Sequence, residues 1–235
     1  MAAGGLVSQP PDPPIGQLES DRQPIASLAM AIEAVLRDPR RVLFQLTQPQ
    51  QGRLRRDFMA ITLVSAYVYG LVVGTFSGGQ QLLAAPVKIA AGLILSAAIC
   101  LPSLCIFSCL SGARARIGEV CGLLSAFLAL MTILLIGFAP VAWVFSESTN
   151  SVAAMGGLHL FFWMIATGFG LRLLQRGFHH FGARNGLMRT WTIIFLLVSL
   201  QMTTALRPLV GTAPTLLPVT KQFFVAHWME FLNLK

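Results

Sequence analysis

The stretch that decides the fold is "VCGLLSAFLALMTILLIGFAPVAWVFS", residues 120–146. It holds no charged side chain. A helix needs about 20 consecutive apolar residues to cross the hydrocarbon core of a bilayer. This stretch exceeds that length, and its apolar residues show no alternation of period two, which a membrane barrel strand would require. Four further uncharged runs accompany it: Phe58–Phe76, Ile89–Leu110, Val152–Leu171 and Thr190–Leu206. The last of these reaches span length with Leu187 and Met188, giving a fifth span over 187–206.

Composition agrees. Only 11% of the 235 residues are charged and mean hydropathy is +0.70, whereas a soluble domain carries about 25% charge. A soluble protein built on five such core helices would have too little charge left to cover its surface. The expected fold is therefore all-α: a polytopic membrane protein with spans at 58–76, 89–110, 120–146, 152–171 and 187–206. The start, "MAAGGLVSQPPDPPIGQLESDRQP", lacks the basic-then-apolar order of a secretory signal. Residues 1–23 are polar and proline-rich, and are expected to be disordered.

Charge placement predicts topology. Arg22, Arg37, Arg40, Arg41, Arg53, Arg55 and Arg56 precede the first span. Arg114 and Arg116 lie between spans two and three, and Arg172, Arg176, Arg184 and Arg189 between spans four and five. Thirteen of the seventeen basic residues thus fall on one side, against Lys88, Arg207, Lys221 and Lys235 on the other. Basic flanks stay cytoplasmic, so the N-terminus is expected inside and the C-terminus outside. The net charge of +8 then reads as topology and attraction to an anionic inner leaflet. No folded basic domain is present to bind nucleic acid.

Residues 24–57 read as cytoplasmic amphipathic helices followed by a basic linker, "QPQQGRLRRDF". Ile25, Leu28, Ala29, Ile32, Val35 and Leu36 share a helix face. Asp38–Pro39 is a helix-start pair: a carboxylate cap, then a proline at the first helical position, where no hydrogen bond is lost. Two short helices meeting there would either lay their apolar faces in the headgroup region, with Arg37, Arg40 and Arg41 near phosphates, or pack on the bundle as a cap.

Within the spans, Ala66, Gly70 and Gly74 recur at intervals of four, a ridge of small residues that lets a second helix approach closely. It suits a contact inside the bundle, or between copies in a homo-oligomer. Gly92 and Ser96 offer a weaker version. Pro102 and Pro140 each remove a backbone donor and are expected to kink their helices. His159 is the one ionisable residue, cysteine apart, well inside an expected span. Paired with a serine or a carbonyl, it would be structural, and a span set so poor in ionisable groups argues against ion-coupled transport.

Cys100, Cys105, Cys109 and Cys121 form no CxxC pair, and adjacent His179 and His180 point apart on a helix. Neither metal nor disulfide is expected, nor any cofactor. No Ser/His/Asp set, phosphate-binding glycine loop or HExxH occurs, so an enzyme is not expected. Beyond span five, Arg207 and Pro208 end the helix at the outer boundary, where an arginine can snorkel. In "VTKQFFVAHWMEFL", Phe224, Trp228 and Phe231 line one face. Residues 207–235 are expected to form an outer aromatic tail, with a short amphipathic helix at headgroup depth.

The segment "LRDPRRVLFQL" ahead of five spans, and the "LRPLVG" exit before an aromatic tail, resemble the Yip1-like membrane proteins over roughly residues 33–235. That resemblance implies a five-span membrane protein. Its eukaryotic members are implicated in vesicle trafficking through small GTPases, and a bacterial-type member would sit in the inner membrane. The expected function is a non-enzymatic scaffold that recruits or organises membrane or cytoplasmic protein partners through Arg37, Arg40 and Arg41 inside and Arg207 and Trp228 outside. The alternative is a membrane subunit moving hydrophobic or amphipathic substrates with a separate ATPase.

Overall fold

A computed structural model describes residues 13–206, apart from 50, 80 and 150. Its elements are helices: α1 (Glu19–Arg22), α2 (Leu28–Arg37), α3 (Pro39–Leu46), α4 (Gln51–Ser77), α5 (Gln81–Leu110), α6 (Ile117–Ser148), α7 (Val152–His180) and α8 (Asn185–Ala205). Among the described residues there is no strand. Helices α4 to α8 are long and apolar enough to cross a membrane, as the five uncharged runs predict. Residues 1–12 and the tail 207–235, with Arg207 and Trp228, lie outside the described residues.

The helices outrun the uncharged stretches. Helix α4 begins seven residues before Phe58, inside the segment expected to be a linker. Arginine is a good helix former, and Leu54 extends the buried face of Phe58 and Ile61 by one turn, so "GRLRRDF" continues the span. Helix α7 runs nine residues past Leu171, because Leu174, Gly177 and Phe178 keep its buried face going. Helix α5 starts eight residues before Ile89. Lys88, expected in an outer loop, therefore sits within the helix and is buried. Pro86 does not break α5. It lies in the second turn, and its missing N–H costs only one helical bond.

The opening stretch forms the centre. Residues 122–132 of α6 are buried on every side. Helix α6 lies between α4 and α7; α4 packs on α5, and α5 on α8. The ring closes through Phe195 of α8, set edge-on to Phe127 of α6 with centroids 5.1 Å apart. The close approaches fall at glycines. A Cβ on Gly170 would lie 2.7 Å from the Phe127 ring, and one on Gly177 would lie 2.4 Å from Leu123 of α6. Without burial from water to drive them together, helices associate where small residues admit a neighbour.

The corner at Asp38–Pro39 is present, with Pro39 at the first position of α3. Asp38 makes no side-chain cap bond there, so the proline, with its φ already suited to a helix, marks the start. Ser27 caps α2, its hydroxyl accepting from the Met30 amide at 3.2 Å. Helices α2 and α3 pack on the bundle end where the arginines gather. Leu46 meets Gly122 of α6, and Leu43 meets Gly177 of α7.

Residues 13–23, expected to be disordered, are ordered against α3. Asp21 is buried and accepts the Gly16 amide at 2.9 Å, and Arg22 Nε donates to the Gly16 carbonyl at 2.8 Å. Gly16, at φ +90°, rests on the Phe44 ring. A segment this polar cannot bury enough apolar surface to order itself. Charge-assisted bonds from outside the segment hold it instead.

Candidate functional site

The feature most clearly built for more than spanning a membrane is the arginine-rich end. Four side chains from α3 and α4 strap residues 13–26 across the cap. Arg40 donates to the Pro13 carbonyl at 2.7 Å and reaches Asp21 Oδ2 at 3.5 Å. Arg41 donates from Nε to Gln23 O and from a terminal nitrogen to Pro24 O, each at 2.9 Å. Gln45 donates to Gln23 O at 3.1 Å, and Arg53 to Ala26 O at 2.7 Å. The fork of an arginine suits paired carbonyls in a way a lysine does not.

These contacts revise the roles expected of the basic residues. Arg40 and Arg41 turn toward the arm: one terminal nitrogen of Arg40, and Nε and one terminal nitrogen of Arg41, donate to backbone carbonyls, while Arg40 Nε is buried with no partner. Arg37 is exposed and meets Glu33 at 3.4 Å, a surface pair one helical turn apart of the kind that contributes little.

Replacing both strap arginines should free the arm. Arg40→Ala with Arg41→Ala is expected to open residues 13–26 to protease while α4 to α8 stay resistant in detergent. Cleavage kinetics followed by mass spectrometry check this. Cutting no faster than in the parent chain would mean that the carbonyl bonds do not hold the arm.

The second polar feature lies within the bundle. The Tyr69 hydroxyl of α4 and His159 Nδ1 of α7 are 2.8 Å apart, with the rings edge-on. Whichever of the two carries the shared proton, His159 Nε2 is buried with no partner. The histidine was expected to pair with a serine or a carbonyl; it pairs with a phenol. Tyr69→Phe should lower thermal stability in detergent by about 1 kcal/mol, typical of a hydrogen bond between membrane helices. An unchanged melting temperature would mean that the pair bears no load.

The ridge residues Ala66, Gly70 and Gly74 are all buried in α4. At Gly70 the neighbour is α5: a Cβ there would lie 2.4 Å from the Pro86 Cα. The Gly70 contact is thus internal to the bundle. Pro102 and Pro140 lie on exposed faces of α5 and α6, and both helices continue through them. The four cysteines are free thiols, and among the described residues no group of three or more His, Cys, Asp or Glu is placed to hold a metal. His179 and His180 are exposed, and His180 makes a tilted ring contact with Phe181 at 5.6 Å.

Sequence reasoning passed over Tyr69, although a hydroxyl in an apolar span needs a partner. It also passed over Trp191, whose indole N–H lies 3.2 Å from Ser103 Oγ and 3.3 Å from the Cys100 carbonyl. The seven-residue spacing of Gly170 and Gly177 was the available signal for the α6–α7 contact. No family model, characterised protein or solved structure matches the chain.

Proposed function

We propose that this chain is a non-enzymatic scaffold of the membrane, Yip1-like in organisation, which presents protein partners with a folded face at its arginine-rich end. The observation that carries the reading is the strap. Arg40, Arg41, Gln45 and Arg53 hold an otherwise polar arm in a fixed course over α3. A protein that only crossed the bilayer would have no use for that ordered surface. The arginine-rich end faces the cytoplasm in this reading, since thirteen of seventeen basic residues gather there. The membrane is a bacterial inner membrane, and residues 207–235 face its outer side.

A subunit that moves hydrophobic or amphipathic substrates with a separate ATPase is the second reading. The Tyr69–His159 pair favours it, because a polar pair in an apolar bundle is a point of contact for a substrate.

Affinity capture in mild detergent separates the two. The scaffold reading expects a protein partner that is retained by the parent chain and lost from the Arg40→Ala, Arg41→Ala variant, with spans and thermal stability intact. Co-purification of an ATPase whose turnover rises with an amphipathic substrate, and which survives that double substitution, would overturn it in favour of transport.

A further inference from the structure

Helix α2 turns the wrong side chains inward for a helix in water. Its buried residues are Ala31, Ala34 and Val35, whereas Leu28, Ile32 and Leu36 are 49%, 36% and 44% exposed. At about 100° per residue, the buried three occupy one arc, and Leu28, Ile32, Leu36 and Ala29 fill the adjoining arc. Glu33 and Arg37 lie beyond that, both exposed. Met30, 41% exposed, lies just past Arg37, so the helix surface carries a small-residue arc on the bundle, an uncovered apolar arc, and an edge on which Met30 accompanies the two charges.

Its depth is set by contacts at both ends of the α2–α3 unit. Arg53 bonds the Ala26 carbonyl just before α2, and Arg53 lies five residues before Phe58. On a helix rising about 1.5 Å per residue, that is roughly 7 Å outside the apolar run, the depth of headgroups. Leu46 at the end of α3 rests on Gly122, which is already inside the uncharged stretch of α6. At that level the medium beside the protein is the leaflet boundary. Arg53 and Arg56 stand exposed on the same end of α4, which makes the surroundings cationic.

We propose that α2 is an interfacial helix whose uncovered arc, Leu28, Ile32 and Leu36, lies in the acyl–headgroup boundary of an anionic phospholipid leaflet. The bundle covers one side of the helix, lipid takes the second, and Glu33 and Arg37 keep the third in water. The small residues face protein because they permit close packing; the large ones face acyl chains because lipid accepts any shape. Anionic headgroups match the arginines beside the arc. The inference needs only a membrane-embedded bundle and is independent of the scaffold reading. It also leaves the strap, and not the arc, as the surface open to partners.

The test uses the full chain with Cys100, Cys105, Cys109 and Cys121 changed to alanine. Single cysteines are placed at Ile32, Leu36, Glu33 and Leu95, the last exposed in mid-span on α5, and labelled with an environment-sensitive fluorophore. Each protein is reconstituted into phosphatidylcholine–phosphatidylglycerol vesicles, with nitroxide-bearing lipid or with iodide on both sides. The labels at Ile32 and Leu36 should be quenched by the nitroxide lipid as the Leu95 label is, and protected from iodide; the Glu33 label should behave in reverse. Iodide quenching at Ile32 and Leu36 equal to that at Glu33 would overturn the proposal, because the arc would then face water. Shielding from both quenchers would also overturn it, because a second copy would then cover the arc. In phosphatidylcholine alone, nitroxide quenching at Ile32 should fall about twofold or more while that at Leu95 holds. Equal quenching in both lipids would overturn the preference for an anionic leaflet.

Discussion

Gly70→Leu is expected to disrupt the α4–α5 contact and to lower stability in detergent by about 3 kcal/mol or more, at the upper end of the cost of overpacking a tight interface. The obstacle is backbone. A Cβ at this position would lie 2.4 Å from the Pro86 Cα and 3.0 Å from the Pro86 nitrogen, and neither atom can rotate aside as a side-chain tip can. Even Gly70→Ala should be destabilising, although alanine is the better helix former. Gly168 provides the control. It is exposed on α7 with no atom within 4 Å of a Cβ, so Gly168→Ala should be neutral or slightly stabilising. Melting of the three variants in one detergent checks this. If Gly70→Leu melted with the parent chain, α4 and α5 would not approach as described.

Trp191→Ala is expected to cost about 3–5 kcal/mol, the usual loss for a fully buried tryptophan, and so to lower the melting temperature by about 10 °C or more in a chain of this size. Trp191 has no exposed surface and stacks on Phe195 with centroids 5.4 Å apart. Phe195 in turn meets Phe127 of α6. The indole N–H ties the same residue to Ser103 and Cys100 of α5. Trp191 therefore ties α8 to α5 directly and supports Phe195 where it meets α6, and its removal opens a cavity beside that contact. Trp191→Phe keeps much of the packing and loses the indole bonds, so its loss should be a fraction of that for alanine. Equal losses for Phe and Ala would place the stabilisation in the hydrogen bonds instead of the packing.

The crossings were legible in the sequence because an uncharged run of span length has few other uses. Their ends were not, because a span was taken to stop where charge appears. Arg53, Arg55 and Arg56 continue α4, and Lys88 lies inside α5. Helices continue past the apolar core wherever a buried face continues, as Leu174 and Phe178 show on α7. The Asp38–Pro39 corner was readable from local chemistry.

The arm was not readable, since the carbonyls bound by Arg40 and Arg41 lie 17 to 27 residues away. The pairing of Tyr69 with His159 spans 90 residues and needs the fold to bring α4 and α7 within reach. On α2, the face of Leu28, Ala29, Ile32, Val35 and Leu36 was open to either the headgroup region or the bundle. The bundle takes the face of Ala31, Ala34 and Val35, because packing between helices favours small residues over greasy ones.

The central claim of the proposed reading is that the chain crosses the membrane five times with its arginine-rich end in the cytoplasm. A reporter active only in the cytoplasm, fused in turn before residue 13, near Arg184 and after Lys235, tests it most directly. Five crossings predict activity at the first two positions and none at the third. Activity after Lys235 would contradict them, since it would require a crossing fewer or a crossing more.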